Sequence, residues 1–194
     1  NATVAMDVDA TAMTSNIFTF DGSNEDDGTF NITVGGTAAH NLTLGQLGDT
    51  VTSTSTAAVT VVGTAGANTI TTGAGADKIT LGTGNDTITS GAGADTLLLA
   101  TANLTTDDTI NAGDGTDILK TTNAMDLADA DFTNVTNLEA ITVNTVSDNM
   151  TLTLGAETSE AGLVTVNTGT GINAIVVGAG HTAALTINQT ASGT

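Results

Sequence analysis

Short runs in which aliphatic and polar residues alternate recur along the whole chain, and glycine, asparagine and aspartate stand between them. A period of two is the pattern of a half-buried β-strand, whose side chains point alternately to opposite faces. Before residue 63 this pattern predicts short strands over 17–20, 30–34, 41–44 and 58–62, with turns at 35–36 and 45–48. Beyond residue 120, the segment 132–144 (FTNVTNLEAITVN) passes from irregular to alternating spacing of Val135, Leu138, Ile141 and Val143. Further strands are predicted over 150–154, 163–166, 172–177 and 184–187, joined through Gly155, Gly162, 169–171 and 178–180. Strand centres roughly a dozen residues apart suit the rungs of a solenoid.

In the middle the alternation is locked to a nine-residue period. Four nonamers follow one another without a gap: 63–71 (GTAGANTIT), 72–80 (TGAGADKIT), 81–89 (LGTGNDTIT) and 90–98 (SGAGADTLL). Residues 99–102 are extra, and the register resumes with 103–111 (NLTTDDTIN) and 112–120 (AGDGTDILK). Position six is Asn68, Asp77, Asp86, Asp95, Asp108 and Asp117; position eight is Ile70, Ile79, Ile88, Leu97, Ile110 and Leu119. Glycine holds position four at Gly66, Gly75, Gly84, Gly93 and Gly115, and position two at Gly73, Gly82, Gly91 and Gly113.

Glycines two apart allow positive φ in a tight turn, which the short side chain at position six closes, while residues seven to nine make a brief strand with the aliphatic residue inward. If two nonamers complete a coil, Asp77 stacks on Asp95 and Asn68 on Asp86. The insertion then carries Asp86 to Asp108 and Asp95 to Asp117 with both edges still in phase. Carboxylates one strand spacing apart, about 4.8 Å, repel unless a cation lies between them, and Ca²⁺ takes two carboxylates plus turn carbonyls readily. The alternative is a metal-free solenoid in which the aspartates only cap turns.

The nonamers resemble the RTX nonapeptide, G-G-x-G-x-D-x-U-x, the calcium-binding β-roll repeat of secreted bacterial proteins. They depart from it at position one, which is glycine only at Gly63, and in the fifth repeat, where Leu104 and Thr106 replace glycines. The expected fold is all-β, a parallel β-roll or β-solenoid with calcium turns in the middle and further β rungs on both flanks. Its expected segments are 1–62, 63–120 and 121–194. The expected cofactor is Ca²⁺, and the candidate metal residues are Asn68, Asp77, Asp86, Asp95, Asp108 and Asp117. With the nonamers, the segment 132–144 also resembles RTX-containing bacterial S-layer proteins. Within it Phe132 and Leu138 read as core, and Glu139 as a surface carboxylate.

Charge narrows the partners. Two Lys+Arg against 21 Asp+Glu give a net charge of −19, which repels phosphate backbones and anionic headgroups, so neither nucleic acid nor an anionic membrane surface is an expected partner. No apolar stretch approaches the ~18–20 residues of a membrane helix. Only 12% of residues are charged and 39% are hydrophobic, which argues against disorder. The chain has no Pro and no Cys, so turns fall to Gly, Asn and Asp, and disulfides and thiolate metal sites are excluded. The acidic loop 21–28 (DGSNEDDG) fails the EF-hand pattern because Asp26 stands where that loop needs glycine. It reads as solvated loop, with a weak Ca²⁺ site as the alternative. The first ten residues do not form a signal peptide, and the last nine read as a strand running on, as in a piece of something longer.

Catalytic constellations are not found. His40 and His181 begin no H-E-x-x-H helix, no serine lies in G-x-S-x-G, and Gly169–Gly171 and Gly178–Gly180 complete no dinucleotide fingerprint. The reading is a non-catalytic structural protein of the bacterial cell surface, extracellular, in a calcium-stabilised S-layer or similar array. Its expected partners are further copies in a lattice or filament and, as a candidate, cell-surface polysaccharide. The alternatives are an RTX adhesin or surface-binding β-roll, or the RTX portion of a larger secreted enzyme or toxin. Ice binding through outward Thr and Asn at nonamer positions three and five finds only Thr83 and Asn85 in one repeat.

Overall fold

A computed structural model describes residues 4–100, 104–123, 125–143, 150–169 and 174–189. Residues 1–3, the inserted residues 101–102, Asn103, Asn144, residues 172–173 of one predicted strand and residues 190–194 lie outside that set. The described strands are β1 (Ala5–Ala10), β2 (Thr19–Asp21), β3 (Thr29–Val34), β4 (His40–Thr43), β5 (Thr50–Ser53), β6 (Val59–Val62), β7 (Thr69–Thr71), β8 (Lys78–Thr80), β9 (Thr87–Thr89) and β10 (Ala92–Gly93). They continue with β11 (Thr96–Leu99), β12 (Thr109–Asn111), β13 (Asp114–Gly115), β14 (Ile118–Thr121), β15 (Val135–Thr136), β16 (Ala140–Val143), β17 (Thr151–Leu154), β18 (Thr165–Thr168), β19 (Ala174–Val177) and β20 (Thr186–Gln189).

Two long sheets carry the architecture, in the orders β1-β3-β5-β7-β9-β12-β15 and β2-β4-β6-β8-β11-β14-β16-β18-β20. Their strand pairings are parallel, and through the nonamers the chain lays one strand on each sheet per coil. This is an all-β parallel β-solenoid. Both sheets run through residues 62–63 and through 120–121.

Register explains the aliphatic pattern. On the first sheet Ile32, Val51, Ile70, Ile88, Ile110 and Val135 stand in one row. On the second, Leu42, Val61, Ile79, Leu97, Leu119, Ile141 and Val166 do the same. All are buried, and position eight of every nonamer belongs to one of these rows. Each such side chain contributes about 1.5–3 kcal/mol on burial, so a core with few aromatics is built by repetition.

Several details differ from the sequence pattern. β1 and β5 were not among the predicted strands; β5 (TVTS) has a single aliphatic residue, too short an alternation to register. β18 and β20 begin two residues later than 163 and 184, because Leu163 enters the core from a turn and not from a strand. Between Gly155 and Gly162 stands one helical turn, α1 (Ala156–Glu160). Its free amides explain it: Asp129 Oδ1 accepts from Gly155 N at 2.7 Å and Thr158 N at 2.9 Å.

Candidate metal centre

The nonamer turns are shaped by glycine. Gly91, Gly93, Gly113 and Gly115 have φ of 86°, 140°, 95° and 154°, a region that side chains with a Cβ disfavour. A Cβ on Gly113 would overlap the Gly91 carbonyl, and one on Gly115 the Gly93 carbonyl. Consecutive turns are so close that β10 and β13 pair as a two-stranded sheet of their own.

This stacking turns the position-six side chains inward. Asn68, Asp77, Asp86, Asp95, Asp108 and Asp117 are each at most 2% exposed. They form two edge columns in the expected register. On one edge, Asn68 N donates to Asp86 Oδ1 at 2.9 Å across eighteen residues, and Asp86 N to Asp108 Oδ1 at 2.7 Å across twenty-two. On the other, Asp77 N donates to Asp95 Oδ1 and Asp95 N to Asp117 Oδ1, both at 2.7 Å. Each main-chain carbonyl completes the link in the opposite direction, as when Asp77 O and Asp95 O accept from Thr96 N at 2.8 Å and Ile118 N at 2.9 Å. The stacked carboxylates thus face a main-chain donor as well as one another, a role the sequence reading had reserved for its metal-free alternative.

Both columns extend past the nonamers. Asp49 N donates to Asn68 Oδ1 at 3.0 Å, and Asp49 Oδ1 accepts from Phe30 N at 2.8 Å. At the far end, Asp117 N donates to Glu139 Oε2 at 2.8 Å. Glu139 is therefore half-buried and the fourth member of a column, not simply a surface carboxylate. Sequence reasoning missed Asp49 as well. The available signal was spacing, since Asp49 precedes Asn68 by nineteen residues and Glu139 follows Asp117 by twenty-two.

The second polar atom sets Asp49, Asn68 and Asp108 apart from the opposite edge. Asp49 Oδ2 accepts from Gly45 N at 2.8 Å, Asn68 Nδ2 donates to Gly66 O at 3.2 Å, and Asp108 Oδ2 accepts from Thr105 N at 2.8 Å. On the opposite edge, Oδ2 of Asp77, Asp95 and Asp117 is buried with no hydrogen-bond partner. Partnerless buried carboxylate oxygens are costly. A hard divalent cation that takes oxygen ligands suits them. Among the described residues no three His, Cys, Asp or Glu side chains converge on one point, so an ion held here would draw on two carboxylates, with carbonyls or water completing its shell.

Burial disfavours the charged form of these groups. It is the largest influence on Asp95, whose carboxyl is pushed up to about 6 against the Asp77 N–H bond, with the Asp77 and Asp117 charges adding to it. Burial likewise raises Asp77, Asp86 and Asp117, with Asp108 adding repulsion at Asp86 and Glu139 and Asp114 at Asp117.

Outside the columns, His40 and the acidic loop are engaged with the main chain. His40 is buried, its Nδ1 accepting from Phe18 N at 3.2 Å and its Nε2 lying 2.9 Å from Gly35 O. In the loop 21–28, Asp21 and Glu25 accept main-chain amides of Ser23 and Asp27 while Asp26 and Asp27 are exposed. No helix among the described residues is long and apolar enough to cross a membrane.

Residues 62–97 and 105–121 match the family described as RTX calcium-binding nonapeptide repeat (4 copies). The break between the matched blocks falls on the inserted residues. No curated protein and no solved structure matches the chain. Repeat, parallel coils and carboxylate columns together define a parallel β-solenoid that carries RTX-type calcium-binding repeats, with Ca²⁺ as their cofactor.

Proposed function

We propose that this chain is a non-catalytic, calcium-stabilised stalk of a larger secreted bacterial protein, the RTX portion that holds a binding or effector region at the cell surface. The observation that carries this reading is the column of partnerless buried oxygens at Asp77, Asp95 and Asp117. It makes the coils least stable where calcium is scarce and completes them where calcium is at the millimolar levels served by weak extracellular sites. The candidate ligands are the position-six residues, and the aliphatic rows supply the rigid body.

Array formation, as in an S-layer, is the second reading. It is favoured by Val176, Val177 and Ile187, which are 49%, 48% and 47% exposed on β19 and β20, apolar positions suited to cover by further coils or a neighbouring copy. The test is to purify the chain without calcium and add Ca²⁺ to millimolar levels, following circular dichroism, sedimentation and electron microscopy. A monomer that gains order supports the stalk; sheets or filaments support the array, with cell-surface polysaccharide then the anchor to seek. Unchanged order would remove calcium from the account.

A further inference from the structure

We infer that calcium loads one edge of the solenoid only, the edge of Asp77, Asp95, Asp117 and Glu139, and that Glu139, outside the nonamers, supplies a carboxylate to the last site. The inference rests on the calcium reading and adds which residues hold the ions and which do not.

Three independent features distinguish this edge. The first is the partnerless Oδ2 of Asp77, Asp95 and Asp117, each at least 98% buried. On the other edge the matching atoms of Asp49, Asn68 and Asp108 have protein partners, so every neighbouring pair there, including both pairs that contain Asp86, has a member whose hydrogen bond an ion must displace to gain a ligand.

The second is turn geometry. Gly73/Gly75, Gly91/Gly93 and Gly113/Gly115 give the loading edge both glycines in three successive coils. The opposite edge has both only in the coil of Gly82 and Gly84, and then Leu104 and Thr106. Turns without side chains leave main-chain carbonyls close to the carboxylates, as a cation with six to eight oxygen ligands requires.

The third is charge. The loading edge is four carboxylates in succession, whereas Asn68 interrupts the other with a neutral amide that donates at Nδ2 and repels a cation there. Glu139 fits the end of the series because Oε2 accepts the Asp117 amide just as Asp117 Oδ1 accepts that of Asp95. Its longer side chain reaches that point from a turn without glycine, where Asn137 instead takes φ of 57°. The neighbouring pairs Asp77/Asp95, Asp95/Asp117 and Asp117/Glu139 define three sites.

Calcium titration of the whole chain, by calorimetry and by equilibrium dialysis with ⁴⁵Ca, tests this. Three ions are expected. Glu139→Gln should bind one fewer and Asp95→Asn two fewer, while Asp108→Asn should bind as many as the parent. Each amide keeps a carbonyl oxygen for the stacked amide N–H, Asp108→Asn alone giving up a second bond, from Thr105 N, and matching circular dichroism spectra without calcium would verify the fold. An ion lost in Asp108→Asn, or none lost in Glu139→Gln, overturns the one-edge assignment while leaving calcium binding intact. A parent chain that binds no calcium overturns the calcium reading, and this assignment with it.

Discussion

The Asp95 amide donates to Asp117 Oδ1 across 2.7 Å although twenty-two residues separate them. The Asp95 side chain in turn offers Oδ1 to the Asp77 amide. Asp95 is thus donor to one coil and acceptor from another, and its second oxygen is buried without a hydrogen-bond partner.

Changes at this position should separate the two roles. Without calcium, Asp95→Ala leaves the Asp77 N–H bare and should cost about 1–3 kcal/mol, while Asp95→Asn keeps an acceptor and removes a buried charge. Urea midpoints in calcium-free buffer should place Asn at or above the parent and Ala below it. Equal losses for both would mean that the hydrogen bond contributes nothing.

Acid should stabilise the calcium-free protein. The folded-state pKa of Asp95, about 6, lies above the ~3.9 of an unfolded chain, so the folded state binds the proton more tightly. Its stabilising contribution is full below about pH 4 and is lost as pH rises through about 6. Asp77, Asp86 and Asp117 shift the same way. At Asp129 burial is outweighed by hydrogen bonds from Thr158, Glu157 and Gly155, which hold the carboxyl below its usual value; its opposite effect begins only below about pH 4. The urea midpoint without calcium should therefore be higher at about pH 5 than at about pH 7.5. Calcium affinity should rise over the same range, because the ligands must first lose their protons.

Gly113→Ala and Gly115→Ala should each cost at least about 1–3 kcal/mol, since both positive φ and the carbonyl beneath oppose a methyl group. Gly178→Ala, where φ is not positive and the nearest atom is Leu154 O at 3.3 Å, should cost less. Thermal melts of the three variants would rank them.

In the core, Ile88→Ala removes a link of the first aliphatic row and should cost about 2–5 kcal/mol. Its exposed neighbour Thr87→Ala should stay within about 0.5 kcal/mol. Chemical denaturation in saturating calcium would keep the metal contribution constant between them.

Most of the solenoid was legible because a coil is short and its constraints repeat. An aliphatic residue at position eight six times over can only be a row, and a short polar side chain at position six can only be a column. The ends of the columns were hidden because Asp49 and Glu139 lie outside nonamers, where no glycine pattern points to them. Their membership follows from strand pairing, β5 with β7 and β14 with β16, which spans unequal coil lengths. The difference between edges was partly visible in Leu104 and Thr106. It became chemical only through Gly45, Gly66 and Thr105, which occupy the second polar atoms of Asp49, Asn68 and Asp108.

Every side-chain link along the edges points the same way. Phe30 donates to Asp49, Asp49 to Asn68, Asn68 to Asp86 and Asp86 to Asp108; Val59 donates to Asp77, Asp77 to Asp95, Asp95 to Asp117 and Asp117 to Glu139. In a chain made from its amino end, the donor emerges first and its acceptor one coil later. Winding is therefore vectorial: the newest coil always presents open amides at its rim, and each is closed only by the side chain that its successor brings.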